Sequence, residues 1–304
     1  MSFSNDVKSE IACTVTDSDK KFACLYGMII FCKQYTRDTI CLQTESDVVA
    51  RLFPQLMSEV FHDAIHIEKE MLQRKNKTAL YSFQINGQEL VSRVSSMMKI
   101  NPDKREIDIK NIDNNNLANF LAGVFLSCGS VTNPNNEYHL EFVVATGQLY
   151  SDLSLMLGSI GLEGKKVIRK NSHILYFKES ENIEDILTFM GAQQSTLELI
   201  NVKILKDVRN RVNRISNCDL ANCNKTIEAA LKQKMDIELI ASSCGLDSLP
   251  VTLQEIAAAR INHPELSLKE LGEILDPPIG RSGVNHRLKR ITKIADELRQ
   301  KNQK

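Results

Sequence analysis

The sequence predicts an α+β protein with two parts: a duplicated mixed unit, then an all-α trihelical domain containing a helix-turn-helix. Three observations carry this. The first two thirds repeat one order of elements at a spacing of roughly 94–101 residues. A polar stretch, Asn111–Asn116, divides the repeats. Beyond Leu249-Pro250, capping signals and prolines mark out three closely linked helices.

The first copy opens with an apolar helix over Lys21–Lys33. A strand at Thr39–Thr44 and an amphipathic helix at Asp47–Phe61 follow, then strands at Ala64–Met71 and Ala79–Ile85 and a helix near Gln88–Met98. The second copy runs in the same order: helix Leu117–Cys128, strand Tyr138–Ala145, helix Gln148–Ile160, strands Lys166–Arg169 and Ile174–Phe177, helix Ile183–Met190. The strands alternate apolar and polar residues, as half-buried sheet faces do. Gly27 aligns with Gly123, Thr44 with Ala145, and Tyr81-Ser-Phe83 with Leu175-Tyr-Phe177. The divisions expected are 1–110 and 111–194 for the two halves, 195–248 for a helical connecting segment and 249–304 for the trihelical domain.

In the C-terminal domain, Thr252-Leu-Gln-Glu255 and Ser267-Leu-Lys-Glu270 both read as capping boxes. Asn262-His-Pro264 stops the first helix, and Asp276-Pro-Pro-Ile-Gly280 is a turn no helix crosses. A third helix spans roughly Arg281–Arg299. At 100° per residue, Val284, Leu288, Ile291, Ala295 and Leu298 fall within about 40° of one direction and must face the first two helices. Ser282, His286, Lys289, Arg290 and Lys293 face away, and Asn285 and Arg287 flank them. Such a helix can enter a major groove. Ser282, Asn285, His286 and Lys289 would then lie over base edges, and Arg281, Arg287, Arg290 and Lys293 near phosphates. The other reading of this face is a solubilising basic surface on a packing helix.

Charge distribution favours the first reading. The whole chain is neutral, but residues 1–70 hold seven Lys and Arg against eleven Asp and Glu, and residues 281–304 hold eight against two. A basic end on a neutral chain is the footprint of a phosphate-binding surface. No apolar run nears the roughly 18 residues of a membrane span, and the start, MSFSNDVKSEIA, lacks the core of a signal peptide. The expected setting is the cytoplasm, on the nucleoid, with no membrane partner. Eight cysteines without a CxxC spacing read as reduced, mostly buried small apolar residues, and no metal or other cofactor is expected.

Two glycine-bearing apolar helices at corresponding places should pack on each other closely. The stretch Leu121-Ala-Gly-Val-Phe-Leu-Ser-Cys-Gly129 resembles the motif of the LAGLIDADG homing endonucleases, and Leu25-Tyr-Gly-Met-Ile-Ile-Phe-Cys-Lys33 matches it more loosely. That resemblance implies a duplicated αββαββα fold with the motif helices at a pseudo-two-fold interface. It also implies an acidic residue at the eighth motif position, where active members bind divalent ions. Cys32 and Cys128 stand there instead, and no Asp or Glu occurs within Phe22–Arg37 or Leu117–Asn136. A hard ion such as Mg²⁺ wants oxygen ligands, so the expectation is a domain with no catalytic residues and no cleavage activity.

Leu268–Ile291 is similar in spacing to DNA-binding region 4 of bacterial sigma factors. The segment from Arg211 to Ala230, with Leu249–Leu275 and Val284–Arg290, resembles the WhiA-type regulators, which join a degenerate LAGLIDADG domain to such a helix-turn-helix. The resemblance implies a transcription regulator of cell division or sporulation that binds double-stranded DNA at promoters, with RNA polymerase or another regulator as a further partner. A division-linked scaffold with weak DNA binding is the alternative. In the connecting stretch, Asn217, Asn222 and Asn224 with Lys225 and Arg214 can cap helices or touch phosphates.

Overall fold

The computed structural model describes residues 2–73, 78–108, 112, 114–170 and 172–301. The sequence also places a basic cluster, Gln73-Arg-Lys-Asn-Lys77, at the tip between the strands expected at Ala64–Met71 and Ala79–Ile85, and it falls almost wholly outside the described residues. The chain forms two compact units, residues 1–206 and 207–304.

The first unit opens with helix α1 (Phe3–Thr14), absent from the sequence reading although Phe3, Val7 and Ile11 at i, i+4, i+8 mark its buried stripe. The first half follows: α2 (Ser18–Ile30), β1 (Gln34–Tyr35), β2 (Thr39–Thr44), α3 (Asp47–Phe61), β3 (Glu68–Leu72), β4 (Leu80–Asn86) and α4 (Gln88–Met98). The second half repeats it as α5 (Leu117–Cys128), β5 (Gly129–Val131), β6 (Leu140–Val144), α6 (Gly147–Ser159), β7 (Lys165–Arg169), β8 (Ser172–Phe177) and α7 (Ser180–Phe189). Each half is therefore αββαββα. The strands β1 and β5 are the ones that sequence periodicity missed, because two or three residues show no alternation.

Each half makes a four-stranded antiparallel sheet, ordered β1-β2-β4-β3 and β5-β6-β8-β7. The registers set Leu42 opposite Phe83 in the first sheet and Phe142 opposite Leu175 in the second, all four buried. The edge strand β3 is exposed along its whole length and β7 over most of its length, with Lys69, Lys165, Lys166 and Arg169 breaking up their apolar runs.

The two halves share one core because α2 and α5 touch backbone to backbone. A Cβ on Gly123 would lie 1.9 Å from the Cys24 carbonyl oxygen, and one on Gly27 would lie 2.3 Å from that of Phe120. Only glycine permits that approach. Helix α1 then closes the unit: Ser46 Oγ donates to Asn5 Oδ1 at 2.5 Å, and the Glu10 carboxylate accepts from Ser195 N at 3.0 Å and Ser195 Oγ at 2.8 Å. Glu10 thereby satisfies orphan amides at the start of helix α8 (Gln193–Ser243), where its charge also suits the helix dipole.

The stretch read as a connecting segment is thus mostly one helix of 51 residues, beginning in the first unit and ending in the second. Asn217, Asn222 and Asn224 lie inside it, so the capping role weighed for them is corrected. A cap needs the free amides or carbonyls found only at helix ends.

Candidate nucleic-acid interface and cleft

The second unit is built around Ile237 and Ile240 of α8, which pack with α9 (Val251–Asn262), α10 (Leu268–Glu273) and α11 (Arg281–Lys301). Its boundaries depend on caps. Ser267 Oγ accepts from Glu270 N, and the Glu270 carboxylate accepts from Ser267 N at 2.8 Å, so the second capping box forms as read. The first does not. Helix α9 starts two residues earlier than that box would set it, behind Pro250, and Thr252 is already helical. Proline favours that edge of a helix because its missing N–H and fixed φ cost nothing there.

Between α10 and α11 the turn folds back tightly. Ile279 N donates to Gly272 O at 3.0 Å, and a Cβ on Gly272 would lie 2.1 Å from the Ile279 carbonyl oxygen. Gly280 O then accepts from Val284 N at the first turn of α11.

Helix α11 divides as its angular pattern requires. Val284, Leu288, Ile291 and Ala295 are buried and Leu298 is half-buried. Arg281, Ser282, His286, Lys289, Arg290 and Lys293 are exposed, and Asn285 and Arg287 intermediate. Among the described residues no carboxylate comes within 4 Å of Arg281, Lys289, Arg290 or Lys293, so these cations are available to an outside anion. Arg287 differs. Its Nη1 donates to Thr252 O at 3.3 Å and lies 3.6 Å from Glu255 Oε2, which ties α11 to α9.

Two charged anchors were not legible in the sequence. Asp236 is fully buried and pairs with Arg299 at 2.5 Å, fastening α8 to the last turns of α11. Arg260 is 2% exposed, and its Nη1 donates to Leu266 O at 2.7 Å. Burial lowers its pKa, and Glu265 opposes that shift. Side chains this long normally read as surface residues, so only the three-dimensional partners reveal them.

In the first unit, Cys32 lies just beyond α2 and Cys128 ends α5, and both line a cleft of about 670 Å³. Burial pushes the Cys32 thiol up to about 11 and the Cys128 thiol up to about 12. Cys32 Sγ donates to Gln34 O at 3.0 Å, and Arg105 donates to the Cys32 carbonyl and, at 2.9 Å, to Ile30 O. The cleft also receives Lys8, Lys33 and Lys170, with Glu45 as the one carboxylate among its described lining residues. Glu45 stands outside the sequence windows searched for an acid, because β2 rather than either motif helix delivers it. Two protonated thiols and one carboxylate beside three ammonium groups are a poor ligand set for a hard divalent ion. Among the described residues no cluster of three His, Cys, Asp or Glu could hold a metal. Nor is any helix long and apolar enough to cross a membrane.

Comparison with known proteins gives a consistent result. Residues 117–209 match the profile of the WhiA LAGLIDADG-like domain, and residues 212–295 that of the WhiA C-terminal HTH domain. A Clostridium botulinum protein named "Probable cell division protein WhiA" is 40% identical over 99% of each chain. The Clostridium acetobutylicum protein of that name is 38% identical over 98% of this chain and 99% of its own. The crystal structure of full-length DUF199/WhiA from Thermatoga maritima aligns with a TM-score of 0.57 at 27% identity, covering 98% of this chain and 99% of that one. The chain belongs to the WhiA family, with a LAGLIDADG-like N-terminal domain and a C-terminal helix-turn-helix domain.

Proposed function

We propose that this protein is a sequence-specific, double-stranded-DNA-binding transcription regulator acting at promoters of cell-division genes, and of sporulation genes where its host forms spores. The observation that carries the reading is the outer face of α11, where Arg281, Lys289, Arg290 and Lys293 stand exposed with no carboxylate within 4 Å among the described residues. On a recognition helix, Ser282, Asn285, His286 and Lys289 are placed to meet base edges. Arg281, Arg290 and Lys293 meet phosphates, and Arg287 also keeps the helix seated on α9. The clostridial relatives' printed names support the cell-division role. Work at promoters implies a nucleoid location in the cytoplasm and contact with RNA polymerase or a second regulator. The LAGLIDADG-like domain does not cleave DNA, because its cleft offers thiols and ammonium groups where an activated water would need carboxylate-held metal.

Gel-shift titration tests the reading. Replacing Lys289 and Arg290 by Ala should weaken binding to genomic target duplexes about 10²-fold and lower the salt slope by about two. Unchanged affinity would remove α11 from the interface. Cut product in Mg²⁺ would overturn the inactive-cleft reading.

A further inference from the structure

The cleft beneath α2 and α5 has its polarity reversed. Three elements deliver cations to it: Lys8 from α1, Lys33 from the segment after α2, and Lys170 from the turn between β7 and β8. Glu45 is the one carboxylate among the described lining residues, and it also accepts from Thr78 Oγ1 at 3.2 Å. Lys33 Nζ spends one donor on Gln43 Oε1 at 2.6 Å. The hydroxyl of Ser127, on the last turn of α5, lines the cleft and is buried with no hydrogen-bond partner. The neutral thiols of Cys32 and Cys128 add no charge to offset the ammonium groups.

Lys8 shows what this arrangement costs. Its Nζ lies 5.8 Å from the centre of the Phe125 ring, and burial lowers its pKa to about 8, against the opposing pull of Cys128 and Glu45. An enclosed ammonium group short of counter-charge is stabilised by whatever anion enters beside it. The unpartnered hydroxyl supplies a neutral donor of the kind that orients phosphate oxygens. A cavity of about 670 Å³ falls within the usual range for small-molecule sites.

We infer that this cleft is a binding site for a small phosphate-bearing anion, held by Lys8, Lys33 and Lys170 with Ser127 donating a hydrogen bond. It lies wholly in the first unit, so the inference stands or falls independently of the DNA-binding role given to α11.

The test is calorimetric titration of the full chain with sodium pyrophosphate at pH 8 and low salt. One saturable site per chain is expected. Lys8→Gln and Lys170→Gln should each weaken it at least tenfold, with circular dichroism unchanged. Binding should also take up more protons in the wild type than in Lys8→Gln, whatever protons pyrophosphate itself exchanges, because the anion restores the charge on Lys8. This would appear as a dependence of the heat on buffer ionisation enthalpy. The nearby titratable groups that could compete for that proton are Glu45, Cys32, Cys128, Lys33 and Lys170. Absence of saturable heat at millimolar pyrophosphate, or wild-type affinity in both variants, would overturn the site. Displacement of pyrophosphate by a short random duplex, with the same dependence on Lys8, would overturn the small-ligand assignment in favour of nucleic acid.

Discussion

The cleft of the first unit and the outer face of α11 are both lined with cations, yet their physics is opposite. In the cleft, Lys8 is half-buried and pushed toward neutrality, beside two thiols that stay protonated. On α11, Arg281, Lys289, Arg290 and Lys293 stand in water at little desolvation cost, and no carboxylate among the described residues comes within 4 Å of them, unlike Arg287 and Arg299. Exposed cations along a helix suit a long polyanion, whose phosphates release counterions on contact. A half-buried cation such as Lys8, joined in the lining by the exposed Lys33 and Lys170, suits a small anion that can reach it inside the cleft. The contrast in burial between the two surfaces therefore rests on Lys8.

Four substitutions or conditions separate the regions further. The largest effect should come from Gly123→Ala, whose methyl would meet the Cys24 carbonyl, a backbone atom that cannot move aside. It should cost about 3 kcal/mol or more and lower the first unit's melting transition by calorimetry. A loss below about 1 kcal/mol would mean that α2 and α5 are less tightly apposed than described.

In the second unit, Arg299→Ala leaves the buried Asp236 carboxylate without its cation. A cost of about 2 kcal/mol is expected, reduced from that of a fully buried pair because Arg299 is itself 40% exposed. Urea denaturation of the variant measures it. Double replacement with Asp236→Asn should recover part of the loss.

Alkaline titration should discriminate the units without mutation. Cys24, Cys32 and Cys128 titrate near 9 when unfolded but at about 12, 11 and 12 in the fold, so the folded state holds more protons above pH 9. Their stabilisation is complete below pH 9 and falls by about 1.4 kcal/mol per thiol per pH unit above it. Lys8 has the opposite sign. Its folded value of about 8 lies below its unfolded 10.5, so it adds stability as pH rises between the two. The net slope above pH 9 should be downward for the first unit. The second unit's cysteines, Cys218, Cys223 and Cys244, are exposed, as is Cys13, so half of the eight depart from the burial expected of them. A flat alkaline limb would contradict the enclosure of the cleft.

The smallest effect is Ser267→Ala, which removes the cap of α10 and should cost about 1 kcal/mol. Thr252→Ala should cost much less, since Thr252 caps nothing in the structure. Equal losses would restore the first capping box.

Local chemistry made much of this molecule readable in advance. The limits of α3, α4, α5 and β2 follow directly from periodicity and punctuation, and the 100° rotation per residue sorted α11 into a buried and an exposed face. The duplicated order of elements, the loss of acid at positions 32 and 128, and the Ser267 cap were likewise local facts. Tertiary structure decided what local pattern does not encode. Strands β1 and β5 exist because neighbours pair with them, not because two or three residues favour extension. Glu10 caps a helix about 185 residues away, Asp236 and Arg260 are buried by partners from other elements, and Thr252 loses its cap to Pro250. The cleft is the clearest case. Residues 8, 33, 45, 127 and 170 are scattered through the sequence, and only the closure of α2 on α5 under α1 brings their charges together, where burial rather than sequence sets their chemistry.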